Sequence, residues 1–249
     1  MKLPDTLTPP GDYLLWFETI DSTMDEARRQ WQDALSSRLW IVAGEQQAGR
    51  GRQARPWHSP VGNLHLTLVL PTRILLRDQP KLSFVAGVAL ARAVASLLST
   101  EASIRLKWPN DLLLDGAKVS GLLLEGLGQG RAVALGMGIN IVAHPPETPY
   151  PATHLQVAAP EITAQSLFTA LSLSLVEELD LFADGSGFAL TRQRWLARAA
   201  HLGQPLQVRQ GEIVIEGVFK DLDLDGRLLL ETTQGLLRID AGDVFPLDK

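Results

Sequence analysis

The stretch Leu112-Leu113-Leu114-Asp115-Gly116-Ala117-Lys118-Val119-Ser120-Gly121-Leu122-Leu123-Leu124 limits this chain more than any other. Two leucine triplets flank an Asp-Gly pair, the dipeptide best suited to a two-residue hairpin turn because both central residues of that turn need positive φ. The sequence therefore predicts two antiparallel strands meeting at Asp115–Gly116, and a sheet that is not built wholly from parallel strand-helix-strand units. Pairing of these strands brings Asp111 and Lys118 close together in an otherwise apolar ladder. A structural ion pair is one reading of two charges placed there, and a chemical site is the other.

Around this hairpin the apolar pattern supplies the remaining elements. Ser22 is a hydroxyl cap ahead of Asp25 and Glu26, and Ala27, Trp31, Ala34 and Leu35 recur behind it at helical spacing. Leu39 to Ala43 is a short apolar run, and Leu64, Leu66, Leu68 and Leu70 alternate with Asn63, His65, Thr67 and Val69 as in a strand. Residues 80–98 carry Leu82, Val85, Ala89, Ala93 and Leu97 in a helical pattern, 104–107 and 112–114 read as strands, and 119–125 and 132–141 extend the sheet through a turn at 126–130. Helices are expected at 164–183 and 188–200, and Pro145 to Pro151 reads as a surface loop. Strands surround helices, so the class is α+β with a mixed or antiparallel sheet. After Gly203 short strands at 206–209, 213–220, 227–232 and 236–240 are separated by Gln210-Gly211, Asp225-Gly226 and Gln234-Gly235, the texture of a separate small β-barrel. The expected division is 1–202 and 203–249.

A second motif lies between the strands near 39–43 and 63–70. Gly49-Arg50-Gly51-Arg52-Gln53-Ala54-Arg55-Pro56-Trp57 concentrates three arginines in a chain of 249 residues with formal net charge −5. Arginine offers a fixed charge and a planar fork for carboxylate and phosphate oxygens, while glycine lets the backbone approach a ligand closely. The stretch reads as an anion-binding loop on an acidic body; with 20% charged residues the whole surface is no footprint for DNA or RNA. The absence of cysteine excludes disulfides, thiolate zinc sites and cysteine nucleophiles, and the five histidines show no metal-ligand spacing, so any metal should be a hard ion held by oxygens. No long uninterrupted apolar run or signal-like N-terminus is visible, which gives a cytoplasmic protein without membrane contact as the expectation.

Taken together, Lys107-Trp108-Pro109-Asn110-Asp111 with its hairpin, Gln46-Gln47-Ala48-Gly49-Arg50-Gly51-Arg52, Ile20-Asp21-Ser22-Thr23 and Gly136-Met137-Gly138-Ile139-Asn140 resemble, in order, the signature segments of biotin protein ligases. The tail resembles the small SH3-like C-terminal domain of that family. The resemblance implies an enzyme that joins biotin to ATP as biotinyl-5′-adenylate, releases pyrophosphate, and transfers biotin to one lysine of a biotin carboxyl carrier protein. It implies catalytic roles for Lys118, Asp111 and Arg52, with Asp111 also as a Mg²⁺ ligand. Arg50 and Lys118 are expected on the biotin carboxylate and α-phosphate, and Ser22, Thr23 and Gln46 at the ureido end of biotin. Gly49, Gly51 and Gly121 are expected along the same ligand, and Arg55, Trp57, Lys107, Asn110 and Asn140 with Arg52 around the nucleotide. Fixed cations suit this chemistry, because a carboxylate attacking a phosphorus brings anions together. Trp57 is expected to anchor the far end of a mobile lid.

Two positions depart from the family pattern. Met24 replaces an asparagine after the Asp-Ser-Thr motif, and Ala54 replaces a glycine of the arginine loop. Met24 removes an amide from the biotin end. Ala54 adds a Cβ that costs about 1–2 kcal/mol if its position is left-handed. Only 20 residues precede Asp21, too few for the DNA-binding domain that some relatives carry, so a monofunctional enzyme, monomer or homodimer, is expected. A lipoate or octanoyl transferase and a non-catalytic biotin or adenylate sensor are the alternatives. The aromatic residue that would pack on adenine is not identifiable from the sequence.

Overall fold

The structure is a computed structural model that describes residues 8–32, 35–98 and 102–247. The apolar runs form a seven-stranded sheet of β1 (Tyr13–Ile20), β2 (Leu39–Gln46), β3 (Leu64–Pro71), β4 (Ile104–Lys107), β5 (Asp111–Leu114), β6 (Ala117–Leu127) and β7 (Ala132–Ile139). Their spatial order is β1-β2-β3-β7-β6-β5-β4; β1 and β2 run parallel, and each of the other pairs is antiparallel. At the hairpin Asp115 and Gly116 have φ of 49° and 84°, the two positive values that an Asp-Gly turn of the primed kind requires.

Alternation along β3 divides the sheet into two faces. Leu64, Leu66 and Leu68 enter the main core, whose other members come from α2 (Leu82–Leu97), α3 (Ala164–Phe182) and α4 (Phe188–Leu196). On the opposite face Val69 joins Met24 and Ala27 of α1 (Thr23–Gln30), and the Thr67 hydroxyl donates to Thr23 Oγ1 at 2.9 Å. The stretch Gln79–Leu97 is long and apolar enough to cross a membrane by composition, but 67% of it is buried here, with Val85, Ala89 and Leu90 sealed in the core. It is a core helix that α3 and the sheet cover.

Several boundaries differ from the sequence expectation for physical reasons. Ser22 caps α1, its Oγ accepting from the Asp25 amide at 3.4 Å, but the helix stops at Gln30 because Trp31 turns to extended backbone. Leu35 therefore lies beyond the helix and packs back on the Met24 cluster, and Ala34 lies outside the described residues. Helix α4 ends at Leu196, short of 200, and the chain after it pairs with the free edge of β4: Leu106 donates to Arg198 O and Ala200 donates to Leu106 O, each at 2.8 Å. Strand β1 was not foreseen. Its Leu14-Leu15-Trp16-Phe17 run lacks alternation, and its parallel partner β2 lies beyond α1 in sequence.

Beyond residue 204 a second sheet contains β8 (Pro205–Gln210), β9 (Ile213–Leu222), β10 (Leu228–Thr232), β11 (Gly235–Ile239) and β12 (Asp243–Pro246), in the order β11-β10-β9-β8-β12. Four of these five antiparallel strands were expected; β12 is the additional one, paired with β8 so that Asp243 faces Arg209 and Phe245 faces Gln207. The Trp108 indole donates to Gly226 O at 3.1 Å and the Arg192 guanidinium to Leu222 O at 2.7 Å, which fastens this sheet to the larger unit.

Candidate active site

The two sequence motifs meet on the α1 face of the large sheet. In the hairpin a β-bulge between Leu112 and Leu113 inserts one extra residue into β6, so Lys118 lies across from Leu113 and Gly121 across from Asp111. Without the bulge, Lys118 and Gly121 would point to opposite faces; with it they share one. Lys118 Nζ lies 2.7 Å from Asp111 Oδ1, and both side chains are mostly buried. The expected proximity of these two charges is thus observed as an ion pair.

The arginine loop follows β2. Its ends are tied by a bridge between Arg50 and Pro56, and Gly51 donates to Arg55 O and Trp57 to Gly49 O, each at 2.8 Å. At its tip Gln53 and Ala54 have φ of 56° and 55°, so Ala54 occupies the left-handed conformation in which its Cβ is costly. Arg52 Nη1 donates to Asn110 Oδ1 at 3.1 Å and to Gly242 O at 3.4 Å. Arg55 pairs with Asp243, which raises the guanidinium pKa.

These elements enclose a cavity of about 110 Å³ lined by Ser22, Thr23, Met24, Gln46, Arg50, Gly51, Arg52, Arg55, Trp57, Lys107, Asn110, Asp111, Lys118 and Gly121 among others. Its floor is β7, where glycine is required for space: a Cβ on Gly138 would lie 2.2 Å from Trp57 Nε1, and one on Gly136 2.7 Å from Met24 Sδ. Trp57 therefore reaches over the sheet instead of merely anchoring the far end of the loop, and its buried Nε1 has no hydrogen-bond partner among the described residues. On its other side a wider cleft of about 1030 Å³ is lined by His58, Asn140 and Arg209, with Trp57, Lys118, Tyr150 and Phe245 among the residues shared by both.

Most of the predicted residues converge on the cavity, with three qualifications. The Arg50 guanidinium, expected on the biotin carboxylate and α-phosphate, is already engaged by Asp25 at 2.8 Å, Ser22 Oγ at 3.3 Å and Glu125 at 3.3 Å, so much of its charge is offset within the chain. Gly49 does not line the cavity; it sits under the loop, where a Cβ would press on Ser59 Oγ at 2.6 Å. Asn140 lies outside the small cavity, and its amide donates to Thr153 O at 3.1 Å, holding the segment after the Pro-rich loop. Thr23 and Gln46 are bound to each other: Gln46 Oε1 accepts from the Thr23 amide at 2.9 Å and hydroxyl at 3.0 Å, while Gln46 Nε2 donates to Ser59 Oγ, which donates to Trp57 O. A hydrogen-bonded chain thus runs from Thr67 beneath the site to the loop above it.

The sequence reading missed the aromatic walls. Lys107 Nζ stands 5.7 Å from the Tyr150 ring centroid and 5.4 Å from that of Phe245, and Lys118 Nζ 5.1 Å from that of Tyr150. Burial pushes the Lys107 ammonium pKa down, against the opposing pull of Asp111. Tyr150 lies in the Pro-rich loop and Phe245 in β12, far in sequence from both motifs, and no local pattern marks either.

Residues 16–141 match the Biotin/lipoate A/B protein ligase family, and residues 201–245 match the Biotin protein ligase C terminal domain. Over 238 residues, 90% of this chain and 97% of the relative, the sequence is 39% identical to the biotin–acetyl-CoA-carboxylase ligase of Paracoccus denitrificans. The chain belongs to the biotin protein ligase family. Within the family it is also 30% identical over 242 residues to the bifunctional ligase/repressor BirA of Bacillus subtilis, covering 94% of this chain and 74% of that one. The Aquifex aeolicus biotin protein ligase in complex with biotin and ATP superposes with a TM-score of 0.81 at 26% identity, covering 94% of this chain and 97% of that one. The α+β fold with a small SH3-like C-terminal sheet is the family's own.

Proposed function

We propose that this protein is an ATP-dependent ligase that forms biotinyl-5′-adenylate and then transfers biotin to a lysine of a biotin carboxyl carrier protein. The observation that carries the reading is the convergence of Lys118, Asp111 and Arg52 on one glycine-floored cavity in a chain of this family. In the first step a biotin carboxylate oxygen bonds to the α-phosphorus and pyrophosphate leaves with the electron pair of the broken P–O bond. Lys118 and Arg52 offset the charge that grows on the phosphate oxygens, and the ion pair with Asp111 holds Lys118 in place beforehand. In the second step the carrier amine attacks the acyl carbon, AMP leaves, and Asp111, a carboxylate on the cavity wall, takes the amine proton.

Among the described residues no three acidic or histidine side chains group into a metal site. A single carboxylate such as Asp111 fits Mg²⁺ that arrives on the nucleotide, since this ion keeps phosphates and waters as most of its ligands. Bound there, it would neutralise phosphate charge. Residues 1–202 act as the catalytic unit and 203–249 as a C-terminal unit, working in the cytoplasm.

Pyrophosphate release measured with ATP and either biotin or lipoate tests the reading, followed by labelled-biotin transfer to a purified carrier domain. Release with biotin and labelling of one carrier lysine are expected. Release only with lipoate would make it an acyl ligase of the related kind, and biotin binding without release a sensor.

A further inference from the structure

The reaction needs the arginine loop shut over the cavity, yet the loop itself opposes that state. Gln53 and Ala54 both carry a Cβ in the left-handed region, and three arginines crowd into six residues. The loop has a single internal bridge, between Arg50 and Pro56. Beside that bridge and the bond from the Arg55 amide to Arg52 O at 3.2 Å, the contacts that hold it closed come from other parts of the chain. Arg50 is held by Asp25 and Glu125 at the foot of the loop, and the tip is held by the C-terminal sheet.

At that contact the two tip arginines are treated differently. Arg55 is gripped by Asp243 Oδ2 and by Gln53 Oε1 at 2.6 Å. Among the described residues Arg52 meets only neutral acceptors within hydrogen-bond distance, Asn110 Oδ1 and Gly242 O, with Asp243 Oδ1 at 3.9 Å. Asp243 is itself well placed: it opens β12, paired with Arg209 of β8, and two residues on Phe245 is covered by the Arg209 guanidinium at 4.7 Å. Its carboxylate also lies on the cavity wall, where an uncompensated negative charge would repel a phosphate.

We propose that Asp243 is a positioning residue that latches the arginine loop through Arg55, so that Arg52 remains free to take the anionic groups of the substrate. In this arrangement Arg55 has two tasks, to hold the tip and to neutralise Asp243, and the nucleotide contact expected of it from the sequence passes to Arg52. The C-terminal sheet then serves the retention of the intermediate. The inference rests on the adenylate-forming reading for its kinetic test and on geometry alone for its proteolytic one.

The experiment compares wild type with Asp243→Ala, Asp243→Glu, Arg55→Ala and the double variant Arg55→Ala/Asp243→Ala, with thermal unfolding to confirm each is folded. Preformed biotinyl-adenylate should dissociate about fivefold faster from Asp243→Ala, with kcat for pyrophosphate release changed less than the KM for ATP, and Asp243→Glu should restore both. Arg55→Ala should raise the KM for ATP the most, because it leaves Asp243 bare, and removing Asp243 in that background should lower KM again. Trypsin cleavage after Arg52 in the ligand-free protein should also be faster in Asp243→Ala. Equal cleavage of wild type and Asp243→Ala, or effects of the two single variants that multiply in the double, would overturn the latch. A wild type that releases no pyrophosphate would defeat the functional reading, and the cleavage result would still decide the latch.

Discussion

The hairpin at 111–121 and the arginine loop at 49–57 bring cations to the same cavity by opposite means. The hairpin lies within the sheet: β5 is paired on both sides, β6 continues into β7, and the Lys118 backbone donates to Pro151 O at 2.8 Å and accepts from Thr153 at 2.9 Å. The loop has one bridge, two strained residues and a set of side-chain contacts to distant parts of the chain. A group that must stabilise charge at the moment of reaction gains from a rigid setting. Groups that must admit one ligand, hold it and release it need a segment from the less stable end of the fold. On the function proposed above, this difference in how the two regions are held matches a difference in task.

The strongest way to break this comparison is at the rigid side. Lys118→Ala should reduce pyrophosphate release by about 2–4 kcal/mol of transition-state stabilisation while the fold persists with some loss of stability, because the mostly buried Asp111 is left unpaired. Single-turnover rates together with a urea unfolding curve check both halves; a wild-type rate would return the ion pair to a purely structural role. At the foot of the loop, His65 is fully buried and its Nε2 contacts Pro60 O at 3.2 Å. Burial pushes its pKa down to about 4 from 6.5, so between those values the unfolded chain takes a proton that the folded protein refuses. The sign follows: stability is complete above pH 6.5 and falls as pH drops towards 4, by about 3 kcal/mol in all. Unfolding midpoints of wild type and His65→Asn, compared at pH 7 and 4.5, should show the pH-dependent loss reduced in the variant. The smallest effect is at the tip, where Ala54→Gly relieves left-handed strain and should stabilise the protein by about 0.5–1 kcal/mol, with biotin affinity in calorimetry equal or tighter. A destabilised Ala54→Gly protein would mean that chain entropy, not strain, dominates the loop.

What could be read from the sequence followed the reach of the cause. The Asp-Gly turn, the α2 pattern and the glycine-spaced arginines are local, and each appears in the structure where its residues placed it. Met24 shows where locality fails: as a departure from the family motif it was read as a lost polar contact, whereas the structure buries it to 4% exposure with Sδ against Gly136, so it is also a core residue beneath the site. Strand β1, the bulge that puts Lys118 and Gly121 on one face, and the partners Glu125, Tyr150, Asp243 and Phe245 all depend on pairing between segments far apart in the chain. Neither period nor propensity encodes such partners. The second sheet was visible as a series of turns, but its contact with the arginine loop was not.

That contact has a consequence for synthesis. Domains fold as they leave the ribosome, the earlier parts first. The large sheet, with Lys118 already in place, can assemble while the strand bearing Asp243 and Phe245, and with it the latch proposed for the arginine loop, is still untranslated. A nascent chain of this protein thus passes through an interval in which the residues assigned to activation exist without those that close the chamber. On the latch proposed above, a reactive intermediate formed in that interval would be lost to solvent, and retention would begin once β12 has docked on β8.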